Sequence, residues 1–267
     1  MKKSLLIQLS ILIVILIFLL TCAVIFGISN KNDKVKEYEY TFKNHKELEE
    51  VNLKSLSSKV NIIPTNESKI TVKIKKYERD KIIVTKDSYE LKIHEKGNFM
   101  FFSINFKPEP VIDLYIPKNL VLNYNILLTS GKIEAKNLKM KTANIKVTSG
   151  KIFLKKIRTN SLEIETTSGE IKYSGQASKI KTKLTSGKVN LDLYNAPKKI
   201  TAKITSGNLN IVLPDNNGFL LKQKITSGKI NSEFPLTILK EGEFVYKKAI
   251  NKYEFDVTSG KINLTKK

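Results

Sequence analysis

The tripeptide Thr-Ser-Gly recurs with its Thr at positions 129, 148, 167, 185, 205, 226 and 258, at intervals of 19, 19, 18, 20, 21 and 32 residues. Self-similarity at such a period constrains a chain more tightly than composition does, because each repeat must be one supersecondary unit packed on its like. Aligning on the Thr exposes a two-residue alternation. One position before it stand Leu128, Val147, Thr166, Leu184, Ile204, Ile225 and Val257. Three before are Ile126, Ile145, Ile164, Thr182, Ala202, Gln223 and Phe255, and five before are Tyr124, Ala143, Leu162, Ile180, Ile200, Leu221 and Tyr253. The second residue after the Gly is always aliphatic, from Ile133 and Ile152 to Ile230 and Ile262. A period of two is that of a half-buried strand and not of a helix.

Each repeat therefore reads as strand, corner, strand and looser turn. A Gly at a constant place in the corner, at Gly131, Gly150, Gly169, Gly187, Gly207, Gly228 and Gly260, requires either positive φ or a close approach to a neighbour. The corner Thr and Ser can stack between rungs, with their hydroxyls bonding along the stack. The inward side chains of one repeat cannot offset the entropy of ordering it, so every rung needs rungs above and below. The fold class is all-β, and the architecture that serves short consecutive repeats is a parallel β-solenoid. Stacked antiparallel hairpins are the alternative, since Ser-Gly also turns a hairpin.

The outward positions form columns. Two before the Thr are Lys146, Glu165, Lys183, Lys203 and Lys224; just after the Gly are Lys132, Lys151, Glu170, Lys188, Asn208, Lys229 and Lys261. Like charges on adjacent rungs, about 4.8 Å apart, repel by about 0.9 kcal/mol in water. Glu165 and Glu170 interrupt both columns within one repeat, as stacking favours. The candidate polyanion-binding surface is Lys132, Lys151, Lys188 and Lys229 on one column and Lys146, Lys183, Lys203 and Lys224 on the other.

The formal net charge is +22, and Arg79 and Arg158 are the only arginines. A lysine excess fits diffuse attraction to polyanions better than the bidentate readout that guanidinium provides. The scarcity of Arg and of interleaved aromatics argues against nucleic acid as the partner.

Residues 1–30 are expected to be an N-terminal transmembrane anchor and 31–267 an exported β-repeat domain. Leu5 to Ile28 carries no charge, and these 24 residues would span about 36 Å as a helix, enough for a hydrocarbon core of about 30 Å. A cleaved signal ending near Gly27-Ile28-Ser29 and a lipobox at Leu19-Leu20-Thr21-Cys22 are the alternatives. The length of the apolar run and the Thr before the only cysteine favour an uncleaved anchor. Lys2 and Lys3 are balanced by Lys31, Lys34 and Lys36, so the positive-inside count is nearly neutral. The N-terminus is assigned to the cytoplasm because the rest reads as a secreted β domain.

Within the exported part, 121–267 holds the regular repeats and 31–120 degenerate first rungs and a cap. Leu56-Ser57-Ser58-Lys59-Val60 is a worn copy of the corner, and strand-like runs follow at Ile70–Lys75, Ile82–Thr85, Tyr89–Ile93 and Val111–Ile116. Phe99-Met100-Phe101-Phe102 reads as a capping strand or a partner-binding patch. The last, longer interval holds an insertion from about Glu233 to Asn251, either a cap or a projecting loop.

These residues resemble the bacterial putative-adhesin family of membrane-linked β-strand-repeat proteins. The likeness is carried by Val60-Asn61-Ile62-Ile63-Pro64, by Leu114-Tyr115-Ile116-Pro117, by the Thr-Ser-Gly-Lys-Ile turns, and by Leu213-Pro214-Asp215 before a strand containing Phe219. It covers nearly all of 48–267. The resemblance implies a right-handed β-helix-like fold, an envelope location and a place near envelope-stress regulation, with no catalytic assignment.

Solenoids also host polysaccharide-active enzymes, which need two positioned carboxylates. Asp113, Asp192, Asp215 and Asp256 fall at different repeat phases, Glu163 and Glu165 share a lysine-rich outward face, and His45 and His94 lie outside the regular repeats. No phosphate loop, calcium nonapeptide or zinc motif is present, and no cofactor is expected. The reading is a non-enzymatic, membrane-anchored envelope protein that binds anionic wall polymers or a surface partner. A scaffold or sensory partner of another membrane protein is the alternative.

Overall fold

A computed structural model describes residues 34–78, 80–97 and 109–267. The apolar segment Leu5 to Ile28, Cys22, and the stretch Phe99 to Phe102 lie outside the described residues. Two units are distinguished. Of the smaller, residues 34–36 and 77–78 are described, and Lys36 meets Glu78 at 2.6 Å there. The larger contains 37–76 and 80–267.

The described residues are all-β, with 21 strands connected in one long sheet and no helix. The arrangement is solenoid-like. Strands entering the corners pair with one another, and strands leaving them do the same, one repeat per step. In the approach ladder, β8 (Leu122–Leu128), β10 (Lys139–Val147), the second half of β11 (Lys151–Thr166) and the second half of β12 (Glu170–Leu184) run parallel. The ladder continues into β14 (Lys199–Ile204). In the exit ladder, β9 (Lys132–Lys136), the first halves of β11 and β12, β13 (Lys188–Leu193) and β15 (Asn208–Leu213) are likewise parallel. Stacked antiparallel hairpins therefore do not describe these repeats. The alternating residues are buried as expected: Ile126, Ile145 and Ile164 stand in register, as do Ile133, Ile152 and Ile171.

The corner explains its composition. Thr148 N–H donates to the Leu128 carbonyl at 2.9 Å, Ser149 N–H to Thr129 at 2.8 Å and Lys151 N–H to Gly131 at 3.0 Å, a pattern repeated rung after rung. The glycines serve close approach and not positive φ. A Cβ on Gly150 would lie 2.7 Å from the Gly131 oxygen and 2.5 Å from Leu128 Cδ2. Left-handed backbone appears at the second bend, six residues after the corner Gly, where Asn137, Lys156 and Gly175 have φ of 57°, 55° and 154°. There β11 and β12 run on through the bend instead of breaking at a turn.

Both ends depart from chain order. β2 (Glu50–Ser55) pairs with β8 on one side and with β6 (Glu90–Lys96) on the other. β3 (Lys59–Thr65) likewise lies between β9 and β7 (Val111–Pro117). At the other end β20 (Asn251–Val257) lies between β14 and β16 (Gly218–Ile225), and β21 (Lys261–Lys266) between β15 and β17 (Lys229–Ser232). The last repeat in sequence is thus the penultimate rung in space.

Antiparallel strands then close each end. β4 (Ile70–Tyr77) lies on β7, and β5 (Lys81–Lys86) on β6. The segment read as an insertion forms β18 (Thr237–Lys240) and β19 (Glu243–Lys247), a hairpin that extends the approach ladder beyond β16. Phe234 turns inward, where it meets Phe219 edge-on at 5.4 Å, and Phe219 stacks on Tyr253 at 4.6 Å.

The first corner has no Thr-Ser-Gly rung behind it, and a carboxylate stands in its place. Glu95 accepts from the backbone N–H groups of Leu56, Ser57 and Ser58 at 2.8, 3.1 and 3.2 Å, and from the hydroxyls of Ser55, Ser57 and Ser58 at 3.0, 3.1 and 2.8 Å. Lys59 N–H, the third donor of the corner, reaches Pro110 O at 2.8 Å. Burial pushes the Glu95 carboxyl up, but these donors, led by Ser57 N–H and the Ser58 hydroxyl, outweigh it and hold it below the usual glutamate value.

Candidate functional site

The register assigns each candidate lysine its neighbours. On the approach ladder the column runs Lys54, Leu127, Lys146, Glu165, Lys183, Lys203, Asp256, Lys224. Glu165 stands between two lysines and pairs with both, at 3.4 Å to Lys146 and 2.9 Å to Lys183. The Lys183 hydrogen bond is the main cause of its lowered carboxyl pKa. Asp256, carried in by the intercalated rung, separates Lys203 from Lys224. All four lysine candidates of this column therefore flank an acid.

The exit column also holds an acid between two lysines, Glu170 between Lys151 and Lys188, but that acid pairs elsewhere. This column runs Lys59, Lys132, Lys151, Glu170, Lys188, Asn208, Lys261, Lys229. Glu170 pairs along its own strand with Lys172 at 3.0 Å and not across rungs. Lys132 pairs with Glu134 at 2.5 Å and lies 5.1 Å from the Phe153 ring. Lys151, Lys188, Lys229 and Lys261 make no ion pair among the described residues and are exposed. The intercalated rung places Lys261 directly beside Lys229.

Beside this column runs the row of corner hydroxyls. Ser130 Oγ donates to Leu56 O at 2.8 Å, Ser259 Oγ to Thr205 O at 3.0 Å and Ser227 Oγ to Thr258 O at 3.1 Å. The hydroxyls thus bond along the stack, chiefly to carbonyls. The edge offers fixed hydroxyls and a line of cations, a surface suited to a multiply charged anion.

Sequence reasoning missed two features. Asn190, Asn210, Asn263 and Asn231 form an amide ladder three residues after the corner Gly, joined at 2.8, 2.6 and 2.8 Å. Their common phase was visible in the sequence, but the order Asn263 before Asn231 was not. Glu95 carried no such signal, because its partners lie 37 to 40 residues away.

Most of the acids weighed for catalysis are engaged elsewhere, whereas Asp256 makes no side-chain hydrogen bond or ion pair among the described residues. Asp113 accepts from Asn61 at 2.6 Å, Asp192 meets Lys267 at 2.6 Å, and Glu163 meets Lys181 at 2.7 Å. Lys247, Tyr246 and Lys266 hold the Asp215 carboxyl far below its usual range. His45 Nδ1 lies 3.0 Å from Lys43 O, while His94 sits on the outer side of β6. Among the described residues no group of three His, Cys, Asp or Glu side chains is arranged to hold a metal.

The sequence profile described as Toastrack DUF4097 matches residues 45–265. A search of curated proteins finds no match. Among solved structures, the chain is similar to a "putative adhesin" from Bacteroides fragilis at 13% identity, covering 86% of this chain and 97% of that one with a TM-score of 0.53. It is also similar to a "putative cell adhesion protein" from Clostridium sporogenes (21% identity, 88% and 100% covered, TM-score 0.43). A "putative lipid binding protein" from Parabacteroides distasonis matches at 17% identity, with 88% and 97% covered and a TM-score of 0.46.

Proposed function

The chain belongs to the Toastrack DUF4097 family, and on that premise we propose that it is a non-enzymatic adhesin of the cell envelope that binds anionic wall polymers along its exit-ladder lysines. The repeat domain is a right-handed parallel β-solenoid, held outside the membrane by the apolar segment at Leu5–Ile28 with the N-terminus in the cytoplasm. The observation that carries the binding reading is the contrast between the two lysine columns. On the approach ladder Glu165 bridges Lys146 and Lys183 across rungs, and Asp256 lies between Lys203 and Lys224. On the exit ladder the one acid, Glu170, pairs with Lys172 on its own strand, and Lys151, Lys188, Lys261 and Lys229 make no ion pair among the described residues. Adjacent lysines such as Lys261 and Lys229 repel by about 0.9 kcal/mol in water at rung spacing, and a polyanion laid along the edge relieves that repulsion.

The test is binding of the full-length chain to isolated envelopes, with and without their anionic polymers, across a salt titration. Binding is expected to weaken as salt screens the edge and to vanish once the polymers are stripped. Replacing Lys151, Lys188, Lys229 and Lys261 by Gln should weaken it at least tenfold, and replacing Lys146, Lys183, Lys203 and Lys224 far less. Binding indifferent to both salt and polymer would overturn the reading. It would favour a scaffold or sensory role, for which the exposed Ile238 and Leu239 of β18, 70% and 56% accessible, are the specific support.

A further inference from the structure

On the outer face of the approach ladder the side chains form a grid, one row per strand. β2 presents Asn52 and Lys54, β8 Asn125 and Leu127, and β10 Asn144 and Lys146, all in register. On the following rungs the same positions carry longer ion-paired side chains, such as Glu163 with Lys181 at 2.7 Å. Three short amides and one leucine therefore leave a depression of about 610 Å³, within the size range of small-ligand sites. It extends from β6 to β11, four rung steps or about 19 Å.

The floor is ordered in advance. Asn144 Nδ2 donates to Asn125 Oδ1 at 2.9 Å, and Asn125 Nδ2 donates to Glu50 Oε2 at 3.1 Å. Asn52 Nδ2 donates to the other Glu50 oxygen at 2.9 Å. A carboxamide has two N–H donors and an oxygen with two lone pairs, so these bonds use only part of the capacity of the row. Leu127 lies among them, 40% exposed.

The charges in the walls are nearly all spent. Glu90 pairs with Lys92, Glu163 with Lys181, and Glu165 with Lys146 and Lys183. Lys54 has no ion pair among the described residues. Burial, and then the charges of Lys54 and Lys96, keep the neighbouring His94 below its usual pKa.

We infer that this trough binds a short oligosaccharide containing uronic acid, at a site separate from the lysine edge. Sugar hydroxyls both donate and accept, which matches carboxamides flanked by paired carboxylates. Leu127 offers the apolar contact that a ring C–H face needs, and Lys54 offers one cation for one carboxylate. A polyphosphate brings acceptors alone and would meet the three wall carboxylates, so the trough and the edge select different ligands.

The test is an equilibrium titration of the full-length chain in detergent with trigalacturonate and, in parallel, with neutral maltotriose. Saturable binding of trigalacturonate is expected, weakened at least tenfold by Leu127→Gln, which removes the apolar contact of the floor, and similarly by Lys54→Gln. Both side chains point outward, and circular dichroism checks that the fold is kept. A combined Lys188→Gln and Lys229→Gln variant should bind trigalacturonate as the wild type does, which separates this site from the lysine edge. Absence of saturable trigalacturonate binding would sink the inference. So would maltotriose binding as tightly, or a loss in the edge variant as large as that in Leu127→Gln.

Discussion

The middle of the repeat stack and its two ends solve the same problem in different ways. Between Thr129 and Leu213 each rung donates its corner N–H groups to the rung before and offers its carbonyls to the rung after, so one local rule, applied repeatedly, satisfies every corner. An end rung lacks one neighbour, and the rule cannot finish itself there. The chain responds with strands placed out of order, antiparallel hairpins laid over the last parallel strands, and the Glu95 carboxylate in place of missing carbonyls. Regularity is cheap to encode, and termination takes specific residues.

The largest expected effect comes from removing residues 251–267. In a simple linear stack this would trim one terminal rung. Here it withdraws the rung between β14–β15 and β16–β17, with Tyr253 from under Phe219. Chemical denaturation should show loss of the cooperative transition; a variant that unfolds like the full chain would refute the intercalated order.

A smaller loss is expected from Gly187→Ala in the middle. Its Cβ would stand 2.3 Å from the Gly169 carbonyl oxygen, a backbone atom that cannot swing aside, and overpacking of this kind costs about 1–3 kcal/mol. Gly97→Ala, near the N-terminal end, meets only the tip of Leu56 at 2.8 Å and should cost markedly less in the same denaturant titration. Equal losses would erase the distinction between the two regions.

The third test concerns the N-terminal cap. Glu95→Gln keeps the shape but loses charge-assisted acceptance from six donors, and is expected to cost about 1–3 kcal/mol at neutral pH. Because the folded carboxyl is lowered below its ordinary value near 4.5, its stabilisation is present above that value and fades as pH falls through the folded pKa. The stability difference between wild type and Glu95→Gln should therefore narrow on acidification below pH 4.5. A difference constant across that range would assign the effect to packing.

Much of the middle was legible in the sequence because its contacts repeat at a fixed offset. Ile126, Ile145 and Ile164 announce one another, and the phase of Glu165 correctly places it between Lys146 and Lys183. The corner glycines were narrowed by the structure from two physical roles to one. The rung order at the C-terminal end was not legible, since a 32-residue interval is the same length whether the chain adds a loop or doubles back. Of the candidate site, the two columns could be drawn from phase alone. Their different neutralisation could not, because Asp256 comes to stand between Lys203 and Lys224 only through the intercalation of β20.

Glu95 also accounts for the one corner without a glycine. At Gly131 a Cβ would strike the Ser58 oxygen at 2.2 Å, whereas Ser58 has a side-chain carboxylate behind it and uses its own hydroxyl to bind it. The glycine rule thus belongs to the boundary between like rungs, and the two closing assemblies are independent of how many rungs lie between them. Gene duplication of a whole 19-residue unit inside the regular stretch would carry both closures along intact, so that the length of the exposed edge can drift over generations while the fold stays sealed.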